Sequence, residues 1–147
     1  MAWTKLTEKE HQLVSEIAKN RCDHHYCAPP CGLSEPCISL DLKAPVANDP
    51  QSLELVRRTL FSVLGGDEFL YQINSDNTSF RYFLRKDDSK NVFRFSKTDD
   101  LSIFISADFS EGCKVSPTSS SLWVFGTSSV SLCQRDVNPS IISKKLF

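Results

Sequence analysis

No run of about eighteen apolar residues occurs in the 147-residue chain, so the sequence offers no membrane-spanning helix. Charge of one sign is lacking too. Seventeen Lys and Arg against eighteen Asp and Glu leave a formal net charge of −1 and a pI near 6.3, unlike the strongly basic balance of a wholly nucleic-acid-binding domain. The N-terminus, MAWTKLTEKEHQ, has no apolar core of a secretory signal. The expectation is an intracellular protein, cytoplasmic or nuclear, with no membrane partner. Secretion stays open if Met1 heads an already mature chain. The terminal SKKLF contains the letters of a peroxisomal tail without ending in them.

Catalytic fingerprints are missing as well. There is no G-x-S-x-G elbow, no phosphate-cradling glycine loop, no H-E-x-x-H helix and no dinucleotide fingerprint. Gly65-Gly66 reads as a helix stop. What remains, 40% hydrophobic and 24% charged residues over a length that suits one domain, is the makeup of a globular fold spanning 1–147.

Thr7-Glu8-Lys9-Glu10 forms a capping box, and Leu13, Val14, Ile17 and Ala18 recur at helical spacing, which predicts a helix over 7–21. Ile38, Leu40 and Leu42 alternate with polar residues and predict a short strand over 38–43. Asp49-Pro50 then supplies a cap and a first-turn proline for a helix over 49–64, with Leu53, Val56, Leu60, Val63 and Leu64 on its apolar side. From 67 to 135 the texture is alternating aromatic and β-branched: EFLYQI, SFRYFL, NVFRF, LSIFISA, SLWVFG and SVSLC, parted by short polar connectors. Residues 116–121 read as a long Ser-rich hairpin loop and 136–147 as a tail. The expected fold is α+β, with two helices packed on one face of an antiparallel meander of about five to six strands and an irregular Cys/His-rich loop after the first helix.

That loop, CDHHYCAPPCGLSEPC over 22–37, holds four of the six cysteines and two of the three histidines. Its prolines deny it regular structure, so something else must hold it. Zinc takes four thiolate or imidazole ligands, and Cys22, Cys27, Cys31 and Cys37 would supply them, with His24 or His25 as an alternate for one cysteine. The spacing C-x4-C-x3-C-x5-C departs from paired C-x2-C knuckles, so disulfides in a secreted protein and unligated thiols stand beside the metal reading. Cys113 and Cys133, distant in sequence, read as small core hydrophobes.

A structural metal keeps no open coordination position, which points to scaffold and not to chemistry. The expected function is a non-catalytic interaction or regulatory module with a structural zinc and a partner protein; the oligomeric state is open. Three alternatives are kept. In SFRYFLRK, Arg81, Phe83 and Arg85 share a face, and with Arg94 they could bind single-stranded nucleic acid. A disulfide-stabilised secreted effector is the second, where the Asn77-Thr78-Ser79 sequon would matter. A cysteine enzyme using Cys27 or Cys31 with His24 or His25 is the third; Asp87-Asp88 and Asp99-Asp100 read as turn residues. Trp123, and Trp3 ahead of the first helix, suit either an interface anchor or the core.

Overall fold

Leu122-Trp123-Val124-Phe125 is apolar at every position, and successive side chains of a strand point to opposite faces. Both faces of such a strand must be buried, and that requirement sets the architecture. The computed structural model describes residues 3–23, 37–74, 78–83, 102–116, 118, 120–136 and 142–146. In chain order the elements are β1 (Trp3–Lys5), α1 (Glu8–Asp23), β2 (Cys37–Leu42), a 3-10 turn (Val46–Asn48) and α2 (Pro50–Leu64). There follow β3 (Leu70–Asn74), β4 (Ser79–Tyr82), β5 (Ser102–Ser106), β6 (Gly112–Val115), β7 (Ser121–Phe125), α3 (Thr127–Asp136) and β8 (Ile142–Leu146). The strands form one eight-stranded sheet in the order β1-β4-β3-β5-β6-β7-β2-β8, antiparallel at every pairing.

Two cores lie on the two faces. On the first, Ile38, Leu40, Leu42, Leu70, Tyr82, Phe104, Cys113, Val115, Leu122 and Val124 meet α2 and α3. On the second, Cys37, Ile73, Ile105, Trp123 and Phe125 meet Val14 and Ala18 of α1, with Leu6 just ahead of the helix. The cover is unequal. From α2 come Leu55, Val56, Leu60, Val63 and Leu64, all buried, roughly 8–15 kcal/mol of transfer free energy before entropy is charged. The described part of α1 buries only Val14, Ser15 and Ala18, half-buries Ile17, and leaves Leu13 59% exposed.

The α+β class agrees with the sequence, but two helices on one face of five to six strands does not. Among the described residues there are three helices, they lie on both faces, and the sheet has eight strands; nor is it the expected meander, because β3 lies between β4 and β5 and β2 returns between β7 and β8. SVSLC, expected as a strand, belongs to α3, because its buried residues Ser129, Val130 and Cys133 recur at i, i+1 and i+4, a helical spacing. The expected tail contains β8, an edge strand with Lys144 and Lys145 inside it, residues that blunt an edge and mask an apolar pattern. β1 and β6, of three and four residues, are too short to register as alternation. Helix α1 runs to Asp23, which takes Cys22 into its last turn. NVFRF lies outside the described residues. No helix among the described residues is long and apolar enough to cross a membrane.

Helix α2 begins as its sequence implies: Asp49 Oδ1 accepts from the Gln51 N–H at 3.1 Å and Oδ2 from the Ser52 hydroxyl at 2.8 Å, with Pro50 in the first turn. Along it, Arg57 Nε donates to Glu54 Oε2 at 2.8 Å, and that hydrogen bond, with the Arg58 guanidinium nearby, holds the Glu54 carboxyl below its ordinary value. Helix α3 is started differently, by a side chain from another element. Glu111, just before β6, accepts from the Ser128 N–H through Oε1 at 2.7 Å, and Gly126 makes the corner with φ +102°. A Cβ at Gly126 would meet the Glu111 carboxylate and the Ser110 carbonyl. Gly126→Ala is therefore expected to lower stability by about 1–3 kcal/mol in urea unfolding. Gly66→Ala, where a Cβ meets nothing, should shift it by less than about 0.5 kcal/mol.

Candidate functional site

Beside α1 on the second face, four aromatic rings run in unbroken contact. Phe83 lies 5.9 Å from Phe69, Phe69 stands edge-on to Tyr71 at 5.2 Å, and Tyr71 stacks on Phe109 at 5.7 Å with 6° between the planes. All four are half-buried, whereas Phe104 and Phe125 in the cores are fully covered. Phe69 and Tyr71 share a face because they are two residues apart on the chain entering β3, and the register sets Tyr71 opposite Arg81 of β4. The Arg81 guanidinium lies over the Phe69 ring at 5.5 Å and forms an ion pair with Glu10 of α1.

Phe109 joins the row at a conformational cost. It is the described non-glycine residue with positive φ, +63°, a region disfavoured for a bulky side chain. The turn between β5 and β6 enforces it. Asp108 Oδ1 accepts from the hydroxyls of Ser106 and Ser110, both at 2.7 Å, and from the Ser110 N–H at 3.1 Å. The Phe109 N–H donates to the Ser106 carbonyl at 2.9 Å, and the Glu111 N–H to the Ser106 hydroxyl at 3.0 Å. The Ser110 hydroxyl first, then that of Ser106 and the Ser110 amide, hold the Asp108 carboxyl below its ordinary value.

The sequence-derived candidates are placed unevenly. Arg81 is half-buried with its charge already engaged by Glu10, and Phe83 ends the row. Trp123 is 9% exposed and sits in the second core, 5.2 Å from Phe125. Arg85 and Arg94 lie outside the described residues, as do Cys27, Cys31, His24 and His25. Cys22 is placed by its backbone in the last turn of α1, and Cys37, 7% exposed, opens β2 on the second face. Cys113 and Cys133 are core residues, the latter with its Sγ 3.5 Å from Thr59 Oγ1. Among the described residues no cluster of three or more His, Cys, Asp or Glu could hold a metal.

Sequence reasoning passed over three residues of the row. The i, i+2 spacing of Phe69 and Tyr71 within EFLYQI was the available signal; nothing local marks Phe109, which depends on a turn and its register. One further pair has the atoms of a nucleophile and its base: His11 Nδ1 lies 2.6 Å from Ser79 Oγ. Ser79 is 3% exposed and the pair fills the seam between α1 and β4, where it serves as a tether.

Comparison with known protein families, with curated proteins and with solved structures finds no match.

Because the folded Asp108 carboxyl titrates below its unfolded value, its contribution is present above the unfolded value and is lost as pH falls through the folded one. Asp108→Ala is expected to cost about 0.5–1 kcal/mol near pH 7. In urea titrations the gap from the parent chain should close as pH is lowered to about 3 and below.

Proposed function

We propose that the chain is a non-catalytic interaction module whose partner protein is received by the aromatic row Phe83–Phe69–Tyr71–Phe109. One observation carries the reading: the fold holds Phe109 in a disfavoured backbone conformation to complete a row it leaves half-covered. Backbone strain persists where the surroundings enforce it and concentrates at functional positions. Half-covered aromatic rings give large, rigid contact area at low entropic cost, which suits protein recognition. Base stacking is less well served, because the arginine in the row is already neutralised by Glu10.

A structural zinc on Cys22, Cys27, Cys31 and Cys37 is the second part of the proposal. At 16 residues, α1 is roughly 24 Å long, and the five inter-strand intervals from β4 to β2 span about the same distance. The helix is fixed to β4 near its start by Glu10 and His11, and Ala18 belongs to the cluster that contains Cys37. A helix of that length laid across the second face returns the chain towards β2, which supports Cys22 and Cys37 closing one loop. Bound there, the ion would tie the loop ends together and link folding to metal supply.

The row is tested with a photoreactive phenylalanine analogue at position 83 and, as control, at exposed Gln134 in α3. Position 83 is expected to give discrete protein adducts in cell extract that Phe69→Ser abolishes. Equal labelling at both positions, or recovery of RNA at position 83, would overturn the reading. For the metal, protein prepared reducing and without added metal is expected to hold one zinc and to release four thiols to a chelator. Zinc-free protein with freely titrating thiols removes the metal, and thiols seen only after reduction replace it with disulfides.

A further inference from the structure

The aromatic row already holds one cation within the molecule. The Arg81 guanidinium lies over the Phe69 ring at 5.5 Å, and the Glu10 carboxylate reaches it from α1. A ring face with a carboxylate beside it suits a guanidinium, which is planar and weakly hydrated. Similar parts recur at the other end of the row. Tyr71 and Phe109 stack within 6° of parallel, both are half-buried, and exposed Asp108 precedes Phe109 in the chain. Within two chain positions of either ring the sequence supplies no cation.

Charge around the row is one-sided. Among the described residues within two chain positions of its four rings, Asp67, Glu68, Asp108 and Glu111 are acidic and Arg81 is basic. Arg81 is paired with Glu10, whereas none of those four acids enters an ion pair among the described residues. Two chain positions span at most about 7 Å, inside the screening length of about 8 Å at physiological salt, so these acids act on any side chain that meets the rings. The hydroxyls of Ser110 and Ser106 keep the Asp108 carboxyl ionised at neutral pH. We propose that the row receives an arginine of the partner protein, stacked on Tyr71 and Phe109 as Arg81 is on Phe69, with the neighbouring carboxylates as its counter-charge. The inference rests on the row being the docking surface and adds the chemistry of what docks. Lysine fits less well, because its ammonium is strongly hydrated and has no plane to lay on a ring. Leucine would cover the rings and leave the acids unanswered, and a phosphate-bearing ligand would meet like charge.

The test uses three capped peptides of equal length, in which arginine, lysine or leucine alternates with serine, and a single-stranded RNA. Each is titrated into the full chain at physiological salt, with binding read by fluorescence anisotropy and by the ring signals of carbon-13-labelled tyrosine. The arginine peptide is expected to bind about three- to tenfold more tightly than the lysine peptide. It should move the Tyr71 signals and leave those of fully buried Tyr82 in place. D108N and E68Q are each expected to weaken it about two- to fivefold. E54Q, the same change of charge on α2 and the opposite face, should leave binding unchanged. Should D108N unsettle its turn, E68Q and the arginine-to-lysine ratio decide. No binding, equal binding of arginine and lysine, preference for leucine or RNA, or an equal loss in E54Q would overturn the inference. If position 83 still gives Phe69-dependent protein adducts in those cases, the row stands as the docking surface and the arginine alone is withdrawn. Absence of the adducts as well brings down the reading beneath it.

Discussion

Trp123 and Val124 leave β7 in opposite directions, and both must be kept from water. The same holds for Phe104 and Ile105 on β5, so a sheet built from these strands is stable only with material on each side. That two-sided demand accounts for the placement of the helices. α2 and α3 share the first face and are joined through side chains, Ser129 Oγ to Ser62 Oγ at 3.2 Å and Cys133 Sγ to Thr59 Oγ1. The second face receives α1, whose small apolar contribution is supplemented by polar tethers to β4. Among the described residues, cover on one side is thick and apolar; on the other it is thinner and held at its start by Glu10 and His11.

The aromatic row belongs to this thinner side. Its rings are ordered by one another and by backbone features on either side of β3: the register with β4 on one flank, the Asp108 turn on the other. The turn links two roles, since Glu111, one residue beyond Ser110, also caps α3. A single hairpin end thus positions a surface ring on one face and starts a helix that covers the opposite one.

How far the sequence could be read follows from the range of each signal. Asp49-Pro50 and Gly65 bound α2 through contacts within a few residues, and the alternation around β3, β5 and β7 is local as well, so these elements were legible. Val130 and Leu132 in SVSLC mimic strand alternation, while the residues the fold buries keep helical spacing. The edge strands carry too few residues or too many lysines to stand out. Phe83 could be found as a candidate from its strand alone. Phe109 could not, because its place depends on a positive φ. Nor could the neutralisation of Arg81, whose partner lies 71 residues away. The class of fold is written in short-range patterns, and the site in long-range pairings.

Strand order has one more consequence, for synthesis. β1 pairs with β4, and β2 pairs with β7 and β8, so neither early strand has a neighbour in the sheet until much later sequence exists. In chain order β1, α1, β2 and α2 all precede β3–β7. The pairings with the least chain between them are β3–β4, β5–β6 and β6–β7, whereas β3 meets β5 only across the intervening β4, and β1 and β2 complete their pairings with strands made later still. Vectorial synthesis therefore presents Trp3 and Leu40 long before Tyr82 and Leu122, the residues they finally face across the sheet.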